Sequence, residues 1–206
     1  MGPEPRNLSP GAKQFRDAAE LALTTLTKNA PTDSEARLNP DVAALRGGAG
    51  LALASPSVER DEWRAFAETR DLHGNYPGIN GVSLVDRVPD LEAETFLQRS
   101  RGDGQPDLTI RPFAGAPPTA GRDHDVITDR EPEVDNPTAP GLDLATETAR
   151  RVAPDTTRDS GEPRITARIS LVQDSGHRPG FLLYPPIYRR GAPVATGEAR
   201  RAALRA

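Results

Sequence analysis

The sequence predicts an α+β fold with an antiparallel sheet. Three observations predict it. Helical and strand-like stretches are interleaved along the 206 residues. Arg164–Val172 and Gly180–Tyr188 read as two strands joined by a turn, and such pairs run antiparallel. Hydrophobic residues make up 35% of the chain and aromatics number nine (five Phe, three Tyr, one Trp), so the core is thin and spread over small sheets.

The elements follow in order. Ser9-Pro10 is a helix start, with an N-cap and a proline at the first helical position. Phe15, Ala19, Ala22, Leu23 and Leu26 then form one apolar stripe on a helix of about five turns. Residues 29–39 are a polar loop. Asn39-Pro40 repeats the start signal, and Val42, Leu45, Leu51 and Leu53 continue with helical spacing. Gly47, Gly48 and Gly50 weaken that helix by about 1 kcal/mol each relative to alanine, and admit close packing against a neighbour. Ser57 is the N-cap of a helix with Trp63, Phe66 and Ala67 on one face. Tyr76-Pro77-Gly78 is a turn, and Ile79–Val88 a strand.

Asp90–Arg101 reads as a helix that carries Leu91, Phe96 and Leu97, stopped by Gly102-Asp103-Gly104. Leu108–Phe113 reads as a strand. His124–Glu131 is the next, with Val126 and Ile127 its strong core candidates. A helix starts at Thr146, and Pro154 predicts a kink or restart within it. In Arg164–Val172 the residues Ile165, Ala167, Ile169 and Leu171 alternate with Thr166, Arg168 and Ser170. Gln173–Pro179 is the hairpin turn, and Glu198–Ala206 a short helix.

Composition excludes several functions. The net charge is −4 with both signs interspersed, and no basic stripe offers a nucleic-acid footprint. Lys13 and Lys28 are the only lysines, so 24 of the 26 basic residues are arginine, which reflects a GC-rich genome. With no cysteine there is no disulfide, thiolate metal site or cysteine nucleophile. No run of 18 apolar residues spans a membrane, and no signal-peptide pattern opens the chain.

Enzyme signatures are missing too. There is no G-x-S-x-G elbow and no G-x-x-x-x-G-K-[ST] loop. Gly47-Gly48-Ala49-Gly50 follows no strand and does not match a dinucleotide fingerprint. His73, His124 and His177 lack a second histidine at metal-binding spacing. Asp123-His124-Asp125 offers donors, but strand neighbours point to opposite faces, so no metal site is expected. The acidic run Asp129–Asp135 lacks the spacing of a calcium loop and reads as a solvated strand end.

Seven short motifs then occur in a fixed order. They are Val58-Glu-Arg-Asp-Glu-Trp63, Tyr76-Pro-Gly-Ile-Asn-Gly-Val82, Arg87-Val88, Gly141-Leu-Asp-Leu144, Arg158-Asp-Ser-Gly161, Ile169-Ser-Leu-Val172 and Gly180-Phe-Leu-Leu-Tyr-Pro-Pro-Ile-Tyr188. Together with Glu94 and Phe96, the set resembles the CHASE domain, the ligand-sensing extracytoplasmic module of receptor histidine kinases and nucleotide cyclases. Asp129, Arg130 and Pro154 depart from that pattern.

The resemblance implies a long N-terminal stalk helix followed by PAS-like antiparallel sheets, in a tandem-PAS arrangement cut short. The divisions it implies are a helical stalk over 1–56, a sensor over 57–190 and a tail with a short helix over 191–206. It further implies a sensor, not an enzyme, that binds a small molecule without a cofactor and transmits the signal through stalk helices. By the same resemblance Asp123 and Thr166 contact the ligand, with Ile127, Leu144 and Tyr184 lining the pocket. One carboxylate and one hydroxyl orient a polar ligand, while apolar walls supply affinity.

Its partners are expected to be a small molecule and a second copy, joined through the stripe Phe15, Ala19, Ala22 and Leu26. Membrane anchoring is expected from flanking segments absent from this chain, on the periplasmic or extracellular face. The alternative is a free-standing hydrolase using two carboxylates, since any pair in the fold can converge.

Overall fold

A short antiparallel ladder organises the molecule, and three small apolar clusters pack around it. The computed structural model describes residues 45, 47–55, 58–76, 79–117, 121–134, 137–170 and 179–205. The first predicted helix, with its dimer stripe, and residues 173–178 of the predicted hairpin turn lie outside the described residues. So does Ser57.

The described chain is α+β with small antiparallel sheets. A helical segment over residues 47–54 comes first. Helix α1 (Arg60–Arg70) and the single turn α2 (Leu72–Asn75) follow. Glu59, rather than Ser57, caps α1, and its N–H donates to Glu62 Oε2 at 3.1 Å in a capping box. Trp63 and Ala67 are buried as their spacing predicts. Gly48 lies against the Trp63 ring, where a Cβ would stand 3.2 Å from it, and one at Gly47 would stand 2.9 Å from the Phe66 ring. These glycines therefore allow the segment 47–54 to approach α1 closely. Ala49, Ala52, Leu72, Val82, Leu84 and Ile187 complete this cluster.

Strand β1 (Val82–Val88) pairs antiparallel with β2 (His124–Glu131), whose bounds match the sequence reading. The register shifts between Leu84 and Val85, so Leu84 faces Asp129, Val85 faces Ile127, and Thr128 is the extra residue of the bulge. Between the strands lie a 3-10 turn (Asp90–Glu92) and helix α3 (Ala93–Gly102). Val126, fully buried, packs with Val88, Phe96 and Leu108 on one side of β2. Ile127 packs with Ala139, Leu142 and Leu144 on the other.

Leu91 corrects one expectation. It is 98% exposed: it lies in the 3-10 turn that precedes α3, and that turn buries none of its residues. Leu108–Phe113 corrects another, since it is not a strand. Only Arg111 pairs, its N–H donating to the Gly141 carbonyl at 2.9 Å while its carbonyl accepts from Asp143 N at 2.9 Å. Pro112 has no N–H with which to extend a ladder.

After a 3-10 turn (Leu144–Thr146), helix α4 (Thr148–Ser160) runs through Pro154 without a restart. Burial of Arg150, Ala153 and Thr157 on either side holds it together across the one missing N–H. The predicted hairpin is antiparallel but fragmentary. Strand β3 (Arg164–Ile165) pairs with β6 (Leu183–Tyr184), and β4 (Ile169–Ser170) with β5 (Pro179–Gly180). The predicted alternation fails between them, since Thr166 and Ile169 are buried while Ala167 is exposed. Thr166 turns inward because its N–H donates to the Leu182 carbonyl (2.9 Å) and its Oγ1 accepts from Leu182 N (3.0 Å).

Helix α5 (Gly197–Ala203), capped by Thr196, packs on α4 through Arg200 Nε, which donates to the Asp159 carbonyl at 2.7 Å. Arg205 then donates to the carbonyls of Ala52 and Ser55 at the end of the segment 47–54. A guanidinium there meets the unsatisfied carbonyls of a helix C-terminus.

Candidate ligand site

Gly141-Leu-Asp-Leu144 crosses β2 as a third, short chain of the sheet. Gly141 N donates to the Ile127 carbonyl (2.8 Å), and Ile127 N donates to the Leu142 carbonyl (3.0 Å). The turn needs glycine: φ at Gly141 is +84°, and an added Cβ would stand 2.3 Å from the Thr109 carbonyl oxygen. Asp143 follows at 1% exposure. Its Oδ1 accepts from the N–H groups of Asp125 and Ala145, each at 3.0 Å, and its Oδ2 lies 2.8 Å from His124 Nδ1. His124 Nε2 lies 3.2 Å from Asp90 Oδ1. This histidine is therefore engaged by two carboxylates. Among the described residues no group of three His, Asp or Glu side chains is placed to hold a metal.

Asp125 points to the opposite partner set. Arg87 Nη1 donates to its Oδ1 at 2.8 Å and reaches Asp155 Oδ1 of α4 at 3.4 Å, while Arg87 Nε donates to Asp123 Oδ2 at 3.3 Å. One guanidinium thus gathers β1, the start of β2 and α4. Asp125 is 4% exposed, and its other oxygen, Oδ2, is buried with no hydrogen-bond partner. Burial pushes its carboxyl above the usual range against the pull of Arg87.

Tyr184 enters the same surroundings from β6. Its hydroxyl is buried and without a hydrogen-bond partner. Burial, then the charge of Asp125, drive its pKa upward, so it stays protonated. Its ring packs against the cluster of Ile127, Leu142 and Leu144, with Val85 and Phe113 at the edge. The Arg150 guanidinium lies 4.5 Å above the Phe113 ring and is held by Glu147 at 2.5 Å.

Of the residues expected to form a pocket, the fold gathers Ile127, Leu144 and Tyr184 into one cluster. Asp123 is exposed at the entry to β2 and bound to Arg87. Thr166 is buried, with its hydroxyl oxygen already engaged by Leu182 N. Sequence reasoning missed Asp125, Arg87 and Asp143. Asp125 was legible only as one half of an acidic pair around His124, and Arg87 only as a strand end.

A family profile for the CHASE domain matches residues 56–206, well over half of the chain. The chain belongs to the CHASE domain family. No curated protein matches the sequence. The CHASE domain is an extracellular sensory module of receptors and is not catalytic, which sets the hydrolase alternative aside for this segment. Among the described residues no helix is long and apolar enough to cross a membrane. The family motifs acquire physical roles in this CHASE domain. Gly-Leu-Asp-Leu supplies the Asp143 junction, Arg87 the clamp on Asp125, and Arg158-Asp-Ser-Gly161 the end of α4, where the Arg158 carbonyl accepts from Tyr188 Oη at 2.8 Å.

Proposed function

We propose that this domain is the extracytoplasmic, small-molecule-binding unit of a bacterial membrane receptor with a histidine kinase, diguanylate cyclase or adenylate cyclase output. The observation that carries this reading is the pair of buried, unpartnered polar atoms, Asp125 Oδ2 and Tyr184 Oη, beside the apolar cluster of Ile127 and Leu144. Buried polar atoms of a folded domain are normally hydrogen-bonded. A ligand offering N–H or O–H groups satisfies both, and the apolar residues supply the remaining affinity. Arg87 orients Asp125, Asp123 stands with it at the entry, and Thr166 secures the strand that carries Tyr184. Anionic ligands are disfavoured, because Arg87 and Arg150 already hold carboxylates.

In this reading residues 57–190 form a PAS-like sensor of a tandem arrangement, 1–56 its helical stalk and 191–206 its tail, on the periplasmic or extracellular face. Ligand binding shifts the sheet against the stalk, and segments flanking this chain carry that shift across the membrane. A homodimer forms through Phe15, Ala19, Ala22 and Leu26. Replacing Phe15 and Leu26 by alanine is expected to leave a monomer in sedimentation, and an unchanged dimer removes that interface.

Thermal-shift screening tests the pocket. Adenine derivatives, as N–H-rich probes, are expected to raise the melting temperature where small carboxylates of similar size do not. Stabilisation by the carboxylates alone contradicts the assignment.

A further inference from the structure

Asp129 lies in β2 opposite Leu84, beside the bulge, and is 3% exposed. It belongs to none of the contacts of the ligand cluster. Its Oδ1 accepts from Gln105 Nε2 at 3.1 Å and lies 3.5 Å from Arg60 Nη1. Arg60 is the first residue of α1, and its guanidinium is shared: Nη2 reaches Glu133 Oε2 at the shorter distance of 2.8 Å. Its backbone N–H donates to Asp103 Oδ2 at 3.1 Å. Gln105 Nε2 also donates to the Thr128 carbonyl at 3.0 Å, while Gln105 Oε1 is buried with no partner.

Acidic groups outnumber cations around this carboxyl. Asp86 faces it from β1, Asp103 from the end of α3, Glu131 from β2 itself, and Glu133 shares Arg60. The cations are Arg60 and Arg64 of α1, and Arg64 is spread over Asp61, Glu131 and Glu133 at 3.5–3.6 Å. The attraction holding Arg60 to the sheet at this point is thus one long contact to a buried carboxylate.

We propose that Asp129 is a proton-binding group through which acidification loosens the first turn of α1 from β2. The ionised carboxylate retains Arg60 at the sheet. The neutral acid leaves Arg60 to Glu133, and Gln105 Oε1 offers the new O–H an acceptor once the amide turns. Burial, then the neighbouring acids Asp103, Asp86 and Glu131, outweigh Arg60 and raise the carboxyl to about 6. That value exceeds the ordinary 3.8, so the native state binds this proton more tightly than the unfolded chain. The contribution of Asp129 to stability therefore rises as pH falls through about 6, while its grip on Arg60 declines. The first turn of α1 leads directly to Trp63, which packs on the helical segment 47–54. A proton at Asp129 consequently reaches the element that connects to the N-terminal part of the chain.

Trp63 is the chain's one tryptophan and reports the seating of α1. Its emission, followed from about pH 7.5 to about pH 4.5, is expected to change with a midpoint near 6 in the wild-type chain. Asp129→Asn is expected to abolish that transition. Arg60→Gln removes the cation whose release the transition reports and is expected to abolish it as well. Asp86 and Asp103 are also raised by burial, so the comparison with Asp129→Asn isolates the group. A wild-type chain without the transition, or an Asp129→Asn or Arg60→Gln chain that keeps it, overturns the proposal.

Discussion

Asp143→Ala is expected to destabilise the domain by roughly 2–5 kcal/mol, the cost of leaving several buried hydrogen-bonding groups without their shared acceptor. Asp143 joins three elements at once. It accepts the N–H of Asp125 in β2, accepts the N–H of Ala145 in the following turn, and fixes His124 through Nδ1. Alanine leaves two buried N–H groups without an acceptor, each costing about 1–3 kcal/mol, and frees the histidine. Domains of this size are stable by only about 5–15 kcal/mol, so urea denaturation is expected to show a large fall in midpoint. Asp143→Asn keeps an acceptor oxygen for the two N–H groups and is expected to lose clearly less. A loss below about 1 kcal/mol for the alanine variant contradicts this account of the Gly-Leu-Asp-Leu motif.

Gly141→Ala carries the second large effect, expected at roughly 3 kcal/mol. Two causes add. A left-handed φ of +84° is strained for any side chain, and the new Cβ would meet the Thr109 carbonyl oxygen at 2.3 Å. That oxygen is backbone and cannot swing aside. Gly102, at the end of α3, is the control: nothing lies within 4 Å of its would-be Cβ. Gly102→Ala is expected to be neutral or mildly stabilising, since alanine favours the helix by up to about 1 kcal/mol. Equal behaviour of the two variants in thermal unfolding contradicts the close-packed turn.

The two variants show how much of the molecule was legible in its sequence. Local periodicity carried well where a long element buries one face. Residues His124–Glu131 read as a strand and are one, and Trp63 and Ala67 read as the buried face of a helix and are. Periodicity misled where the backbone changed type within a few residues. Leu91 falls within the predicted helix Asp90–Arg101, but the chain there is a 3-10 turn that leaves it in solvent. Leu108–Phe113 has strand-like residues, yet pairing depends on a partner, and only Arg111 finds one. The alternation from Ile165 to Leu171 was equally regular, and Thr166 broke it by taking its hydrogen bonds from Leu182.

The candidate site was legible in its apolar part and hidden in its polar part. Ile127, Leu144 and Tyr184 are ordinary core residues by type, and the fold brings them together. Asp125 reads by type as a surface residue. Its burial depends on Arg87, 38 positions earlier, and on Asp143, 18 positions later, and no local pattern announces either pairing. Asp129 is similar, since Arg60 lies 69 positions away. Long-range ion pairs decide which charged residues enter the interior, and short motifs do not encode them.

Calorimetric titration of the best-stabilising N–H-rich probe into wild-type, Asp125→Asn and Tyr184→Phe chains tests the central claim most directly. Saturable binding to the wild-type chain, weakened at least about tenfold in both variants, is the predicted result, equivalent to about 1.4 kcal/mol for each lost contact. Undiminished affinity in the two variants would contradict a ligand site at Asp125 and Tyr184.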